Sequence, residues 1–323
     1  MHQTWHPTAS AANIRARADL LQSIRRFFAQ REVMEVETPL LSHGSVTDIH
    51  LSAFSTQFAH ASDGKVKTLY LQTSPEYAMK RLLCAQIGAC YQISKAFRHE
   101  AEGRWHNPEF TMLEWYRPGF DHHQLMDEMD ELLQLTLEVE GAQRKSYQQV
   151  FEEVLTIDPL CASDNTLRRA LSEHDIDIHG DAPLDRDAML QLLFSFRIEP
   201  VIGQNVPCFV YGFPASQAAL AKLNEQDPRT ADRFEVYFKG VELANGFNEL
   251  SDAREQRLRF NNDIEQRAAL QLPPVEHDER FLQALEHGLP QCAGVALGVD
   301  RLLMLKTQSD HINQVISFPI CRA

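Results

Sequence analysis

The stretch AFRHEAEGRWHNPEFTMLEWY, Ala96–Tyr116, places charged side chains beside aromatic ones inside what reads as two β-strands. Side chains alternate along a strand, so Arg98 and Glu100 are expected to share one face, before a loop near Ala101–Asn107. The return strand places a second set on one face: Phe110, Met112, Glu114 and Tyr116. If the two faces coincide, the hairpin presents a guanidinium, carboxylates and aromatic rings on one surface. The alternative is a half-exposed sheet whose charges form surface ion pairs.

A second hairpin is predicted in RFEVYFKGVELANGFNE, Arg233–Glu249, with a two-residue turn at Lys239–Gly240. This turn would pair Tyr237 with Glu242. Glu235 lies two residues before Tyr237, so the two glutamates become diagonal neighbours, with backbones about 7–8 Å apart. Two carboxylates at that separation can share Mg²⁺, whose remaining ligands would come from substrate phosphates.

A third element, GVALGVDRLL at Gly294–Leu303, reads as a glycine-rich strand that enters a helix. Gly294 and Gly298 allow a ligand to approach the backbone closely, and Asp300–Arg301 begin the helix. Together the three elements supply the cationic, metal-binding and aromatic groups that suit a nucleoside triphosphate.

The order of elements predicts the fold class. Amphipathic periodicity indicates a helix over Asn13–Gln30, and a second long helix is expected from Asp121 to Gly141. Strands, hairpins and helices alternate without a regular βαβ pattern, which indicates an α+β fold with a mainly antiparallel sheet flanked by helices. We expect three parts: a leader at 1–12, a catalytic domain at 13–323 and, within it, a small helical insertion at 142–207.

Composition narrows the function classes. The chain has 323 residues, 44% of them hydrophobic, which is enough for a substantial buried core. A net charge of −14 disfavours broad nucleic-acid binding. No apolar run reaches the length of a membrane span, so a soluble, cytoplasmic protein is expected. Six cysteines without a CxxC pair or zinc spacing indicate reduced thiols.

Three segments resemble motifs one, two and three of the class II aminoacyl-tRNA synthetases: VMEVETP, FRHE…RWHNPEF and GVALGVDR. Further segments are similar to lysyl-tRNA synthetase: HNPEFTM, RFEVYFKGVELANGFNEL and VISFP. The resemblance covers about residues 13–323. It implies the catalytic domain of that class, a homodimer formed through motif one, and activation of a lysine by ATP.

Three departures from the synthetase pattern narrow this expectation. Only about a dozen residues precede motif one, where a lysyl-tRNA synthetase carries an anticodon-binding OB-fold. Ala296 stands where the synthetase has a pocket-lining glycine, and Trp105 separates Arg104 from the motif-two histidine. The first two departures fit a truncated paralogue that activates (R)-β-lysine and attaches it to a lysine of elongation factor P.

The resemblance implies a role for each matching residue at the nucleotide. Arg98 would bridge the amino-acid carboxylate and the α-phosphate, Phe110 would stack on adenine, and Arg301 would lie on the other face or near the triphosphate. Glu235 and Glu242 would hold Mg²⁺. The catalytic set is then Arg98, Arg301 and Glu242, and the ATP site is completed by Glu100, His106, Asn107 and Gly298.

The implied amino-acid site needs acids for two ammonium groups. Glu76 would take the amino group near the carboxylate, while Glu114, Tyr116 and Glu249 would take the distal one. The remaining substrate residues are Ser74, Asn245, which would seat the carboxylate, and Ala296, which would set the pocket shape.

Two rival functions stay open from the sequence. One is a lysine-activating enzyme that charges tRNA or another small acceptor, and the other is a silent paralogue that only binds lysine or nucleotide. The expected partners are ATP, Mg²⁺, (R)-β-lysine, elongation factor P and a second copy of the chain, without a membrane or stable tRNA binding.

Overall fold

A computed structural model describes residues 5–60, 62–176 and 184–323. The chain divides into two compact units. The first is Met1–Asp121 with Leu250–Ala323, and the second is His122–Glu249. Part of the predicted leader, residues 1–4, and part of the predicted insertion, residues 177–183, lie outside the described residues.

The first unit alternates helices and strands. Its helices are α1 (Ala11–Ala29), α2 (Glu76–Cys84), α7 (Ala253–Ala269), α8 (Glu279–His287) and α9 (Val299–Thr307). Its strands are β1 (Met34–Glu35), β2 (Leu41–Ser42), β3 (Ser55–Phe58), β4 (Lys67–Leu71), β5 (Cys90–Phe97), β6 (Glu109–Pro118) and β11 (Cys292–Gly298).

In this unit β6 lies between β5 and β11, and both pairs are antiparallel. The short β1 pairs in parallel with β5, while β4 lies between β2 and β3 in a separate small sheet. One face of β5 and β6 is covered by α1. Phe28 of α1 stacks on Tyr91 at 4.4 Å between ring centroids and meets Trp115 edge-on at 5.3 Å. The other face is therefore the one that can carry a site.

The predicted helix at the N-terminus is confirmed, but it begins earlier, inside the expected leader. Ser10 caps it by accepting a hydrogen bond from the Asn13 amide at 3.1 Å. Arg17, in the second turn of the helix, forms an ion pair with Asp300 at the start of α9 and donates to the Val315 carbonyl. The helix is thus fixed to the C-terminal segment as well as to the sheet.

The prediction that Arg98 and Glu100 alternate on a strand is wrong. Strand β5 ends at Phe97, whose register partner is Glu109. The next ladder position falls on Pro108, which accepts from the Arg98 amide at 2.9 Å but has no N–H to donate back. Both charged residues therefore lie in the loop that follows the strand.

The second unit has the same mixture of elements. Its helices are α3 (His122–Leu137), α4 (Tyr147–Leu155), α5 (Asp164–Glu173) and α6 (Arg186–Leu193), which continues as a π-turn at Phe194–Ile198. Its strands are β7 (Gln143–Ser146), β8 (Cys208–Pro214), β9 (Thr230–Phe238) and β10 (Val241–Asn248). Strand β9 pairs antiparallel with β8 and β10, and β7 pairs in parallel with β8. In both units a mainly antiparallel sheet is flanked by helices, as the sequence predicted.

Helix α3 ends at Leu137, before the predicted end at Gly141. The reason is local, because Glu138 has a left-handed backbone with φ of 58°, which turns the chain out of the helix. The aromatic core of this unit gathers around Tyr147, whose ring lies 5.4 Å from Phe194 and 4.9 Å from Phe213. None of the helices in the described ranges has the length and apolar composition that a membrane span requires.

Candidate functional site

The face of β5, β6 and β11 opposite to the one that α1 covers brings together several predicted site residues of the first unit. Residues directly opposite each other in an antiparallel pair share a face. Glu114 lies opposite Gln92 on one side and Ala296 on the other. The flanking strands carry mostly small side chains on this face, which leaves room above the central strand: Cys90, Ser94, Ala96, Gly294, Ala296 and Gly298.

Glu114 is the buried acid of this face, with 2% of its surface exposed. Its Oε2 accepts a hydrogen bond from the Ser74 hydroxyl at 2.6 Å, and its Oε1 accepts one from the Tyr116 phenol at 2.6 Å. Desolvation, and then the charge of Glu76, raises the pKa of Glu114 to about 7. The predicted substrate residues Ser74, Glu76, Glu114 and Tyr116 therefore form one cluster.

Ser74 makes two contacts that join the start of helix α2 to Glu114. Helix α2 begins at Glu76, and the residue before it, Pro75, provides no side-chain hydrogen bond to cap the helix. The Ser74 oxygen instead accepts from the Glu76 amide at 3.0 Å while its proton goes to Glu114. The hydroxyl thus links the helix start to the buried acid.

Lys80 is a member of this cluster that sequence reasoning missed. It lies one helical turn after Glu76, and its ammonium contacts Glu76 Oε1 at 2.6 Å. Its side chain is fully buried. The spacing of four residues on one helix was visible in the sequence, but only burial distinguishes this pair from an ordinary surface pair. Lys80 also lowers the pKa of Glu114.

Arg98 and Phe110 meet at the end of the first hairpin. The guanidinium carbon of Arg98 lies 5.2 Å from the centroid of the Phe110 ring, which is a cation–π distance. Arg98 is not on the strand, but the hairpin still places it beside Phe110. Both residues were predicted to contact the nucleotide. Glu100 follows in the same loop, where its amide bonds to the Arg98 carbonyl at 2.9 Å.

The loop after β5 is held by the C-terminal part of the first unit. His106 Nε2 lies 2.7 Å from a terminal nitrogen of Arg301, so these two predicted nucleotide residues are in contact. Asn107 uses both ends of its amide, accepting from the Ile320 amide at 3.0 Å and donating to the Glu109 carbonyl at 2.5 Å. Arg104, which Trp105 separates from the motif-two histidine, donates to the Asp310 carbonyl at 2.9 Å.

Gly298 is the residue that precedes α9 and ends β11. A Cβ atom placed there would meet the Arg301 side chain at 3.8 Å, an ordinary contact. Contacts within the protein therefore do not require glycine at this position.

The second hairpin has the predicted register. Tyr237 lies opposite Glu242, and a bulge after Glu242 then brings Asn245 opposite Glu235. Desolvation raises the pKa of Glu235, the charge of Arg233 partly offsets this, and the charge of the nearby Glu242 raises it further. This is the repulsion that a shared divalent cation relieves, so the pair fits the Mg²⁺ site that the sequence predicted.

Arg233 is a second missed residue, located in the second unit. It forms an ion pair with Glu235, donates to Asn245 Oδ1 at 3.2 Å and donates to the Gln217 carbonyl at 2.6 Å. The Tyr237 phenol also donates to Glu235. The predicted Asn245 and Glu235 are thus fixed by one arginine, which lies two residues from Glu235 on the same strand face. Glu249, the last predicted substrate residue, is buried with 5% exposure.

Within the described ranges, no group of three or more histidine, cysteine or acidic side chains could hold a metal on its own. A pair of carboxylates matches Mg²⁺, which usually keeps water and substrate phosphates among its ligands.

Comparison with known proteins gives one family over nearly the whole chain. The family described as tRNA synthetases class II (D, K and N) matches residues 3–322. A protein of Vibrio parahaemolyticus named elongation factor P--(R)-beta-lysine ligase is 57% identical over 319 residues, covering 99% of each chain. Proteins with the same name are 56% identical in Proteus mirabilis, over 99% of this chain and 98% of the relative, and 54% identical in Vibrio atlanticus, over 100% of both. The chain therefore belongs to the class II tRNA synthetase family.

Proposed function

We propose that this protein is an ATP-dependent ligase that activates (R)-β-lysine as an aminoacyl-adenylate and transfers it to a lysine side chain of elongation factor P. The relatives that carry this name match the chain from end to end. The structural observation that carries the proposal is Ala296, which stands directly opposite the buried acid Glu114 on the same face. A methyl group beside the ammonium acceptor changes the pocket shape where the synthetase has glycine.

The amino acid is held by its two ammonium groups. Glu114 and Tyr116, already joined by a 2.6 Å hydrogen bond, would accept the distal ammonium. Glu76 would accept the amino group near the carboxylate, with Lys80 keeping its carboxylate in place. Carboxylates are the strongest neutralising partners for such groups in a desolvated site.

The activation step forms one bond and breaks one. A carboxylate oxygen of the amino acid attacks the α-phosphorus of ATP, and the bond to the β-phosphate oxygen breaks as pyrophosphate leaves. Arg98 would stabilise the charge that develops on the α-phosphate, while its contact with Phe110 orients it at the adenine side. Arg301 and His106, which touch each other, would bind the remaining phosphates, and Gly298, Glu100 and Asn107 would complete the site.

Mg²⁺ would be held by Glu235 and Glu242 and would neutralise phosphate charge while pyrophosphate departs. The contribution of the protein is to keep the two acids close together, which Arg233 and Tyr237 do for Glu235. Asn245, fixed by the same arginine, would seat the amino-acid carboxylate.

The transfer step joins the activated acyl group to the acceptor. The neutral amine of an elongation factor P lysine attacks the acyl carbon, a C–N bond forms, AMP leaves, and the amine loses a proton. We propose that residues 13–323 carry this activity, that 142–207 is an insertion, and that the enzyme works as a homodimer in the cytoplasm without stable tRNA binding.

The test is ATP–pyrophosphate exchange with (R)-β-lysine and with α-lysine, followed by labelling of elongation factor P or tRNA. We expect faster exchange with (R)-β-lysine and label on elongation factor P only. Charging of tRNA would instead support the first rival function. Exchange with no lysine isomer would refute the proposal and favour a silent binding protein.

A further inference from the structure

The face of β5, β6 and β11 that carries Glu114 and Ala296, hereafter the substrate face, also carries Gln92, for which no role was predicted. Gln92 lies on β5 directly opposite Glu114, on the side of β6 away from Ala296. Its side chain is 2% exposed, and it shares the face with Glu114 because residues opposite each other in an antiparallel pair do so. Their Cβ atoms are expected about 5 Å apart at this spacing.

Within the part of the chain that the structure describes, the carbonyl oxygen of the Gln92 side chain accepts no hydrogen bond, although it is buried. Gln72, a buried glutamine close in sequence, shows the usual pattern: its amide donates to Ser94 Oγ at 3.3 Å and to the Lys95 carbonyl at 2.9 Å. Burying an amide oxygen without a donor destabilises a protein. A position selected only for packing would be served better by an apolar side chain of the same size.

The surroundings of Gln92 decide which ligand could supply the missing donor. The nearest functional group on the neighbouring strand is an acid, Glu114, and a second acid, Glu76, raises the pKa of Glu114. An anionic ligand is disfavoured beside these groups, whereas a cation with several N–H donors is favoured. An ammonium has three such donors and needs three acceptors once it leaves water.

Glu114 and Tyr116 can supply two of the three acceptors on this face. A third carboxylate at position 92 would repel Glu114 and push it toward its protonated form. A glutamine provides an acceptor without adding charge, which explains why an amide serves this position better than an acid.

We propose that the side-chain oxygen of Gln92 accepts a hydrogen bond from the distal ammonium of the lysine substrate, as a third acceptor beside Glu114 and Tyr116. This inference rests on the proposed function. Gln92 is then a substrate-binding residue whose burial without a partner lowers the stability of the free protein and increases the affinity for the amino acid.

The test replaces Gln92 by methionine, which has a similar size and no amide. We expect Gln92→Met to raise KM for (R)-β-lysine in pyrophosphate exchange about ten- to hundred-fold, the effect of losing a hydrogen bond to a charged group. KM for ATP should stay unchanged, and the Tm of the free protein should rise. Gln92→Leu provides a second apolar variant if methionine does not fold.

Gln256 offers a matched control, because it is 1% exposed and neither atom of its amide has a hydrogen-bond partner among the described residues. It lies on α7 and not on the substrate face. Gln256→Met should raise Tm in the same way and leave both KM values unchanged.

The possible results distinguish a substrate-binding role of Gln92 from a structural one. An unchanged KM for (R)-β-lysine in Gln92→Met, with an active wild type, would overturn the role of Gln92 and leave the proposed function intact. Equal increases of both KM values, or a lower Tm, would show that Gln92 is structural and would also overturn it. A wild type that exchanges with no lysine isomer would overturn the proposed function and this inference together.

Discussion

Glu114 gives the sharpest prediction, because its burial couples stability to pH. Its carboxyl group has an ordinary pKa near 4.5, which desolvation and the neighbouring Glu76 raise to about 7 in the folded protein. Between these values the folded protein binds more protons than the unfolded chain, so the free energy of unfolding falls as pH rises. Since one pKa unit corresponds to about 1.4 kcal/mol, the loss amounts to about 3 kcal/mol.

The sign follows from the raised pKa. The contribution of Glu114 is fully present below the unfolded pKa and is lost as pH rises through the folded value near 7. Glu114→Gln removes the titrating group while keeping the size of the side chain. We therefore expect the variant to lose less stability than the wild type between about pH 5 and about pH 8, by about 3 kcal/mol.

Function should change in the opposite direction. A substrate ammonium favours the ionised carboxylate, so KM for the amino acid in the wild type should fall as pH rises through 7. Glu114→Gln should lower kcat/KM for the amino acid about ten- to hundred-fold, the effect of losing a charge-assisted hydrogen bond, and should abolish this pH dependence.

The assay is denaturant unfolding and pyrophosphate exchange across that pH range, with Glu109→Gln as the control. Glu109 begins the same strand but is 49% exposed and pairs with Lys95 at 3.3 Å. Its variant should follow the wild type in both measurements. The reasoning would be refuted if Glu114→Gln and the wild type lost the same stability between the two ends of the pH range.

Three further perturbations test other parts of the site. Lys80→Met should lower the free energy of unfolding by about 3 kcal/mol in a urea titration, because it leaves the Glu76 carboxylate without its buried cation. Lys67→Met, which removes an exposed pair with Asp63, should lower it much less, and equal losses would contradict the burial argument. Ala296→Gly should shift the ratio of kcat/KM values toward α-lysine, and an unchanged ratio would rule out a pocket role for the methyl group. Asn107→Ala should raise KM for ATP. It should also lower the free energy of unfolding by about 2 kcal/mol, because the Ile320 amide and the Glu109 carbonyl lose their hydrogen-bond partner. An increase of KM for the amino acid alone would contradict a position of Asn107 in the ATP site.

Much of the site could be predicted because its parts are local. The turn at Lys239–Gly240 sets the register of the second hairpin, so Tyr237 lies opposite Glu242 as expected. The alternation that places Glu114 and Tyr116 on one face of β6 is also confirmed, since the two side chains touch. These features depend on spacings of a few residues, which the sequence contains in full.

The end of the first hairpin could not be predicted in the same way. The alternation of side chains does not show where a strand ends. The prediction therefore continued β5 through Arg98 and Glu100. The ladder stops at Phe97 because Pro108, at the next position of the partner strand, offers no N–H. Pro108 is visible in the sequence, but its position opposite Arg98 depends on the strand register, which the sequence alone did not give.

The sequence by itself determined the α+β class, the two hairpins, the family and the side chains that share one face of β6, because each depends on local periodicity or on a contiguous motif. Only the tertiary structure decided which charges are buried and what they contact. Ser74 meets Glu114 across 40 residues of chain, Lys80 is enclosed beside Glu76, and the Gln92 oxygen is buried without a partner. The raised pKa of Glu114 and the unpaired oxygen of Gln92 both result from the removal of water around these side chains. That removal depends on contacts between segments that are distant in the sequence.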